Sequence, residues 1–300
     1  MAAETRLKSP IAEELTQMRV SISLPCARCG YDMRGLAADG DCPECGEPIR
    51  LTIIEVIDPA ARRLEPIHNQ KLIGNSIFGI VLCYFISVAL AALAALGHSP
   101  DSLPVPESLR AFPSSAFLWI SSAGGFVALL NLTPIMVLYR HNELQDCRQG
   151  IALTFVGLVL WVISMVLISM VLLPNPLHSA PVAMFFDTCL PVVAAALVFS
   201  GFRKLVPRLG QRSRAFRQAQ GSRQRMSDLL LTLIVVIVGR TFIAVSPGDS
   251  NLSMFGLITM VISMSLVVVG LGYLLRNTAW IRRALVTPPP ALSELLRPIG

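Results

Sequence analysis

The sequence predicts a membrane all-α fold, with six transmembrane helices and a small β-ribbon near the N-terminus. Of its 300 residues, 53% are hydrophobic and 15% are charged, whereas an ordinary soluble domain has roughly a quarter of its residues charged. Several unbroken apolar runs are longer than the roughly 18–20 residues that cross a bilayer as a helix. Four of the seven cysteines form two C-x2-C pairs between residues 26 and 45, which predicts the separate ribbon.

The chain begins with a polar N-terminal segment, residues 1–20. Ser9 and Pro10 there predict the cap and first turn of one short helix. Residues 21–57 are predicted to form the ribbon, with a hairpin turn at Asp39-Gly40 and a last strand over residues 51–57. Residues 58–71 are predicted to be a polar linker.

Four cysteines of the ribbon have the spacing of a metal site; they are Cys26, Cys29, Cys42 and Cys45. Two residues between paired cysteines let both sulfurs reach one ion, and two such pairs complete a tetrahedron. Gly30 and Gly46 follow the pairs, where a tight turn needs a residue that tolerates positive φ. Because so small a ribbon has almost no apolar core, the metal is expected to supply most of its folding free energy. Zinc is the favoured ion, and iron and a metal-free ribbon are the alternatives.

The stretch "CARCGYDMRGL…DGDCPECGEPI" resembles a zinc-ribbon tag that begins many uncharacterised bacterial polytopic membrane proteins. The matching residues are Cys26, Cys29, Gly30, Tyr31, Asp32, Arg34, Gly35, Leu36, Cys42, Pro43, Glu44, Cys45, Gly46 and Pro48. Met33 departs from the tag, which has Leu there. The two knuckles are also similar to those of rubredoxins, although the spacer between them is far shorter than in that family. The tag resemblance implies metal binding and implies little about activity.

Six apolar runs make up the predicted transmembrane domain, residues 72–275. The predicted spans are Leu72–Leu96, Phe112–Leu138, Ile151–Leu173, Val182–Phe202, Leu229–Ser246 and Leu252–Leu275. A C-terminal tail, residues 276–300, follows the last span and is predicted to be extended.

The basic residues predict the orientation of these spans. Twenty-three of the 25 Lys and Arg lie in four segments: before span 1, between spans 2 and 3, between spans 4 and 5, and after span 6. The other two are Arg110 and Arg240. Because cytoplasmic loops carry the excess of basic residues, both termini are predicted to be cytoplasmic. The resemblance to the zinc-ribbon tag implies that the membrane is a bacterial inner membrane. Disulfides in the ribbon are disfavoured, since the cytoplasm is reducing. The loop Arg203–Ser227 has eight basic residues and no acid, which predicts contact with anionic lipid headgroups; nucleic-acid binding is disfavoured because Phe216 alone could stack on a base.

Two charged residues lie inside predicted spans: Asp187 in span 4 and Arg240 in span 5. Charged side chains within a bilayer usually pair or face a cavity. We therefore expect an interhelical ion pair, or a small outward-facing polar site, between these residues.

The chain has none of the H-E-x-x-H, G-x-S-x-G, P-loop or dinucleotide-binding motifs, and no catalytic residue is predicted. The first hypothesis is a non-enzymatic membrane scaffold or regulator, with a structural zinc ribbon that docks a cytoplasmic protein. The second is a transporter or permease with a regulatory ribbon. A membrane-anchored, rubredoxin-like electron carrier is a distant third.

Overall fold

The computed structural model describes residues 18–58, 61, 64, 67–97, 114–139, 147–172, 185–219, 225–245, 250–290 and 292–298. The chain divides into two compact units: Met1–Leu64 with Thr287–Gly300, and Glu65–Val286. The helix expected near Ser9 lies outside the described residues, as do Arg110 and six of the fourteen residues of the linker 58–71.

The first unit joins the two ends of the chain. Strand β1 (Met18–Val20) pairs antiparallel with strand β2 (Leu296–Pro298), with Arg19 opposite Arg297. The unit also contains helix α1 (Ile49–Ile57) and a short helical turn (Leu292–Leu295). Its buried apolar cluster consists of Val20, Leu24, Cys26, Met33, Ala38, Cys42, Ile49, Ile53, Ile57, Leu295 and Leu296.

Residues 51–57 are helical, so the predicted last ribbon strand is wrong. The β-branched residues of "IRLTIIEVI" favour a strand. However, the buried side chains Ile49, Thr52, Ile53 and Ile57 recur at helical spacing. Burial of that face against the small core outweighs the intrinsic preference.

The region around the two knuckles also has less β-structure than the expected β-ribbon. Among residues 21–57, strand-like pairing is limited to isolated bridges, such as Pro25–Asp32 and Asp41–Pro48. The chain does turn here, one residue earlier than predicted: the Gly40 N–H donates to the Ala37 carbonyl at 3.1 Å, which puts Ala38 and Asp39 at the centre of the turn. The predicted hairpin is not formed, because Ala37 and Asp41 bridge to Arg19 and Pro48 and not to each other. The extended strands of this unit come instead from β1 and the C-terminal tail.

Within the described ranges, the second unit contains six helices that are long and apolar enough to cross a membrane. They are α2 (Gln70–Gly97), α3 (Ser114–Leu138), α4 (Arg148–Leu167), α5 (Leu190–Gly210), α7 (Met226–Val245) and α8 (Ser250–Val286). A π-helical turn, Ile168–Leu172, extends α4, and another, Phe185–Cys189, precedes α5. The short helix α6 (Arg214–Gln218) lies between α5 and α7.

The six long helices pack as a closed ring. The contacts run from α2 to α3, α4, α5, α7, α8 and back to α2. Neighbouring helices approach closely where glycines face a backbone; a Cβ on Gly239 would lie 2.8 Å from the Gly256 carbonyl oxygen. Such contacts between small residues are the usual basis of helix packing in membranes.

A buried polar network joins three of these helices. The Trp161 indole N–H donates to the Ser87 hydroxyl at 2.7 Å, and the Ser121 hydroxyl donates to the Ser87 carbonyl at 2.8 Å. Tyr84 packs edge-on against Trp161 beside this network, with ring centroids 5.3 Å apart. The network fixes the positions of α2, α3 and α4 relative to one another.

Two helices are longer than predicted. Helix α5 ends at Gly210, so the first part of the predicted loop Arg203–Ser227 is helical. Helix α8 ends at Val286, so the predicted tail 276–300 begins as a helix. In both extensions apolar side chains stay buried at helical spacing, such as Leu205 with Leu209 and Ile281 with Leu285, while charged side chains occupy the other face. The length of an apolar run therefore underestimates the length of a helix that continues beyond the run with only one apolar face.

Candidate functional site

The four predicted cysteines lie together in the first unit. All four sulfurs are within 4.8 Å of one another, the spacing of a site that can hold a metal ion. The Sγ atoms of Cys26 and Cys45 are 3.7 Å apart, and those of Cys29 and Cys42 are 3.6 Å apart. All are free cysteines. Each of these two close contacts is between a cysteine of the first C-x2-C pair and a cysteine of the second. Both pairs therefore face the same position.

The two knuckles have the same backbone geometry. In the first, the Gly30 N–H donates to the Cys26 carbonyl at 2.9 Å, and the Cys26 N–H donates to the Tyr31 carbonyl at 2.8 Å. In the second, Gly46, Cys42 and Glu47 repeat these bonds at 2.9 and 2.8 Å. Gly30 and Gly46 have φ of +79° and +69°, which confirms the expectation that each knuckle needs a left-handed residue.

Backbone N–H groups and neighbouring sulfurs have opposite effects on the pKa of the thiols in this cluster. The N–H groups of Cys29 and Arg28 lower the pKa of Cys26 to about 6, because they stabilise its thiolate. The Glu47 N–H lowers the pKa of Cys45, but burial and the other three sulfurs outweigh it and raise that pKa to about 12. The pKa of Cys26 therefore lies well below that of Cys45. A bound cation supplies the positive charge that four adjacent thiolates require.

Asp32 and Thr52 hold the first knuckle in place. Oδ1 of Asp32 accepts from the Leu24 N–H at 3.0 Å and the Arg34 N–H at 3.2 Å. Burial raises the pKa of Asp32, but these two N–H donors, the Ser23 side chain and the Arg34 charge together outweigh it and lower that pKa overall. The Thr52 hydroxyl, on α1, accepts from the Ala27 N–H at 3.2 Å. Helix α1 is thus bonded directly to the loop between Cys26 and Cys29.

The C-terminal tail completes the core beneath this cluster. Leu295 and Leu296 are buried in it, and the Ser21 N–H donates to the Leu295 carbonyl at 2.7 Å. The sequence interpretation missed this contribution and that of Thr52. The only signal for the tail is the apolar pair Leu295-Leu296 after the "TPPP" segment.

Asp187 and Arg240 lie together in the second unit. Nη2 of Arg240 is 2.7 Å from Oδ2 of Asp187, and the two side chains are 22% and 11% exposed. Oδ1 of Asp187 accepts from the Thr188 hydroxyl at 2.5 Å. The pair joins the π-helical turn before α5 to α7.

The fold and the cluster define a class of protein: a chain with six helices long and apolar enough to span a membrane, and a four-cysteine site near its N-terminus that can hold a metal ion. Comparison with protein-family models, curated proteins and solved structures found no match. The likeness to the zinc-ribbon tag therefore rests on the residues quoted above.

Proposed function

We propose that this protein is a multi-pass inner-membrane scaffold or regulator without enzymatic activity, whose zinc-bound first unit docks a cytoplasmic protein. The observation that carries the docking is the outward face of α1. Leu51 and Ile54 are 47% and 53% exposed on the side opposite its buried residues. Such side chains, one helical turn apart, are typical of a groove-binding or partner-binding helix face.

Zinc is the ion that the cluster supports best. A tetrahedron with metal–sulfur bonds of about 2.3 Å has sulfur–sulfur edges of about 3.8 Å. The observed Sγ–Sγ distances are close to this value: 3.7 Å between Cys26 and Cys45, and 3.6 Å between Cys29 and Cys42. Four cysteine ligands fill the coordination sphere of zinc, and closed sites of this kind are structural. The same geometry also suits iron, so composition has to be measured.

Metal analysis of the purified full chain tests this assignment. We expect about one zinc per chain and no visible absorption, since zinc has no d–d or redox transitions. The variant Cys29→Ser should lose the metal, whereas Cys147→Ser, which changes a cysteine outside the cluster, should retain it. A strong visible charge-transfer band would contradict zinc and favour the iron electron carrier.

The cytoplasmic location rests on charge. The predicted cytoplasmic segments carry nearly all Lys and Arg. The pairing of β1 with β2 supports a common side of the membrane for the two terminal segments. An even number of spans requires this arrangement. Arg203–Ser227 would then lie near the inner leaflet, where each basic residue gains about 1 kcal/mol near anionic headgroups.

Site-specific photocrosslinking in cells tests the docking face. A photoreactive amino acid at Ile54 should give one discrete adduct, and the same residue at exposed Asp39 should not give it. Leu51→Glu should abolish the adduct, because a charge on the face opposes apolar burial. If Ile54 and Asp39 give the same products, or Leu51→Glu leaves the adduct unchanged, α1 is not the docking face.

A transporter or permease is the second candidate. One observation favours it: Asp187 and Arg240 line a cavity to which all six long helices contribute. A carrier must open this cavity to either side of the membrane in turn. Labelling of a cysteine introduced at Val192, in the cavity wall, separates the candidates. Reaction with impermeant reagents from both sides would favour the carrier, and reaction from one side at most would favour the scaffold.

A further inference from the structure

The cavity of the second unit is amphipathic. It has a volume of about 180 Å3 and lies between the C-terminal halves of α2, α4 and α7 and the N-terminal halves of α3, α5 and α8. Its wall is mostly apolar, with Val88, Leu118, Met165, Leu233 and Val267 among its residues. An engineered apolar cavity of about 150 Å3 in another protein accepts benzene. The cavity can therefore hold one ring or a short stretch of chain.

Two charged side chains, Asp187 and Arg240, belong to this wall. Asp187 uses one oxygen for Arg240 and the other for Thr188. Nε of Arg240 is buried and has no acceptor among the described residues. Arg240, a residue of this apolar wall, thus has one buried donor that lacks an acceptor in the described part of the chain. Because this nitrogen has almost no accessible surface, a ligand oxygen in the cavity reaches it only after a small shift of the Arg240 side chain.

We propose that this cavity binds a small apolar molecule with one uncharged hydrogen-bond acceptor, such as a ketone or ester carbonyl, which accepts from Nε–H of Arg240. The ion pair is already neutral, so an additional charge on the ligand would lose its hydration without a free counter-charge. An anion would also be repelled by Asp187. An uncharged acceptor satisfies the donor, and the apolar body fills the remaining volume. This site is separate from the metal cluster and does not depend on the docking role proposed for the first unit.

Fluorescence of Trp161, which lines the cavity, provides a direct measurement. In full-length protein in nanodiscs, Trp119→Phe and Trp280→Phe leave Trp161 as the single reporter, since the chain has three tryptophans. The probes are 4-bromoacetophenone, 4-bromobenzoate and bromobenzene, which share a brominated ring and differ in the head. We expect saturable quenching by the ketone. The other two should bind about tenfold more weakly or less, a difference of about 1.4 kcal/mol.

Two matched pairs of proteins test the position of the ligand. Ala91→Leu fills the cavity wall and should abolish saturable quenching, whereas Ala89→Leu, two residues away and outside the lining, should leave it unchanged. Arg240→Lys keeps a cation for Asp187 but lacks Nε–H. Relative to the parent protein, it should weaken the ketone about tenfold and leave bromobenzene unaffected.

A second arm places a bromoacyl monoacylglycerol in the nanodisc lipid. Saturable quenching by it supports an occupant drawn from the bilayer, and quenching by the ketone alone supports a soluble occupant; both outcomes support the site. The proposal is overturned if the ketone and bromobenzene bind equally, if the benzoate binds most tightly, or if Ala91→Leu quenches like the parent protein.

Discussion

At the scale of single residues, the metal knuckles depend on two glycines. Gly30 has φ of +79°, and a Cβ there would meet nothing within 4 Å, so the cost of a side chain comes from the backbone alone. A left-handed conformation costs an L-residue about 1–2 kcal/mol. We therefore expect Gly30→Ala to weaken zinc binding about 5- to 30-fold, as measured by competition with a chromophoric chelator.

Gly46, the corresponding residue of the second knuckle, and Gly40 provide the comparisons for this prediction. Gly46→Ala should have a similar effect, because Gly46 has φ of +69°. Gly40→Ala should cost less, since Gly40 is not among the residues with positive φ, although its Cβ would lie 3.3 Å from the Ala37 carbonyl oxygen. Equal affinities for Gly30→Ala and the parent protein would contradict the proposed role of the left-handed turn.

The Asp187–Arg240 pair makes a second prediction at this scale. Either Asp187→Asn or Arg240→Gln leaves one charge without its partner, 2.7 Å away in the parent protein. Each should lower the thermal unfolding midpoint, and the double variant should lower it by less than the sum. Residues in direct contact typically couple by about 0.5–3 kcal/mol. Arg203→Gln, which removes an exposed charge, is the control.

Exchanging the two charged residues provides a complementary test of the same ion pair. The double variant Asp187→Arg/Arg240→Asp should recover expression that the single variants lose, because the attraction is independent of which helix carries which charge. Additive effects in the neutral cycle, together with no recovery by exchange, would show that the two charges act independently.

At the scale of elements, the local sequence pattern predicts the six long helices but not their ends. The apolar runs are the dominant signal in α2 to α5, α7 and α8, because spanning a bilayer requires that composition. The extensions of α5 and α8 depend on one buried face each, which an unbroken apolar run does not show. Helix α1 was missed for a related reason: the period of its buried residues outweighs their β-branched character.

The cysteine cluster could be predicted because its ligands are close in sequence. The pairing of β1 with β2 could not, since Val20 and Leu296 are separated by nearly the whole chain and three-residue strands have almost no pattern of their own. Likewise, no sequence period marks the cavity, whose wall takes a few residues from each of six helices. Local periodicity predicts elements, whereas the contacts between distant elements depend on the folded core.

The C-terminal tail, with the helical turn Leu292–Leu295 and strand β2, yields a prediction at the element scale. Leu295 is fully buried in the core of the first unit, and replacing a buried Leu by Ala costs about 2–5 kcal/mol. In so small a unit that loss is a large part of the total stability. Leu295→Ala, and deletion after Pro290, should therefore speed metal release to a chelator, while Arg297→Ala, at an exposed position of β2, should not.

The deletion tests strand pairing and side-chain packing together, because it removes both β2 and the buried side chains Leu295 and Leu296. If deletion after Pro290 leaves the metal release rate unchanged, the tail does not stabilise the metal cluster, and the pairing of β1 with β2 would have no energetic role there.

At the scale of the whole molecule, each unit has its own buried apolar cluster. The first unit's cluster includes two of the cysteines, Cys26 and Cys42, so its apolar core is built around the metal ligands. The second unit has a much larger cluster that extends through the helix ring and contains none of the four ligands. Stability of the first unit should therefore depend on the metal, and stability of the second on apolar packing.

Metal removal tests this division of stability. A strong chelator should expose the first unit to limited proteolysis, because binding free energy of the metal is folding free energy in so small a unit. The far-UV helical signal should change little, since the first unit contributes helix α1, of 9 residues, whereas α8 alone has 37. Cys29→Ser should be protease-sensitive with or without chelator, and added zinc should restore resistance only in the parent protein. Loss of the helical signal on chelation would contradict the division, because it would mean that the helix ring also requires the metal.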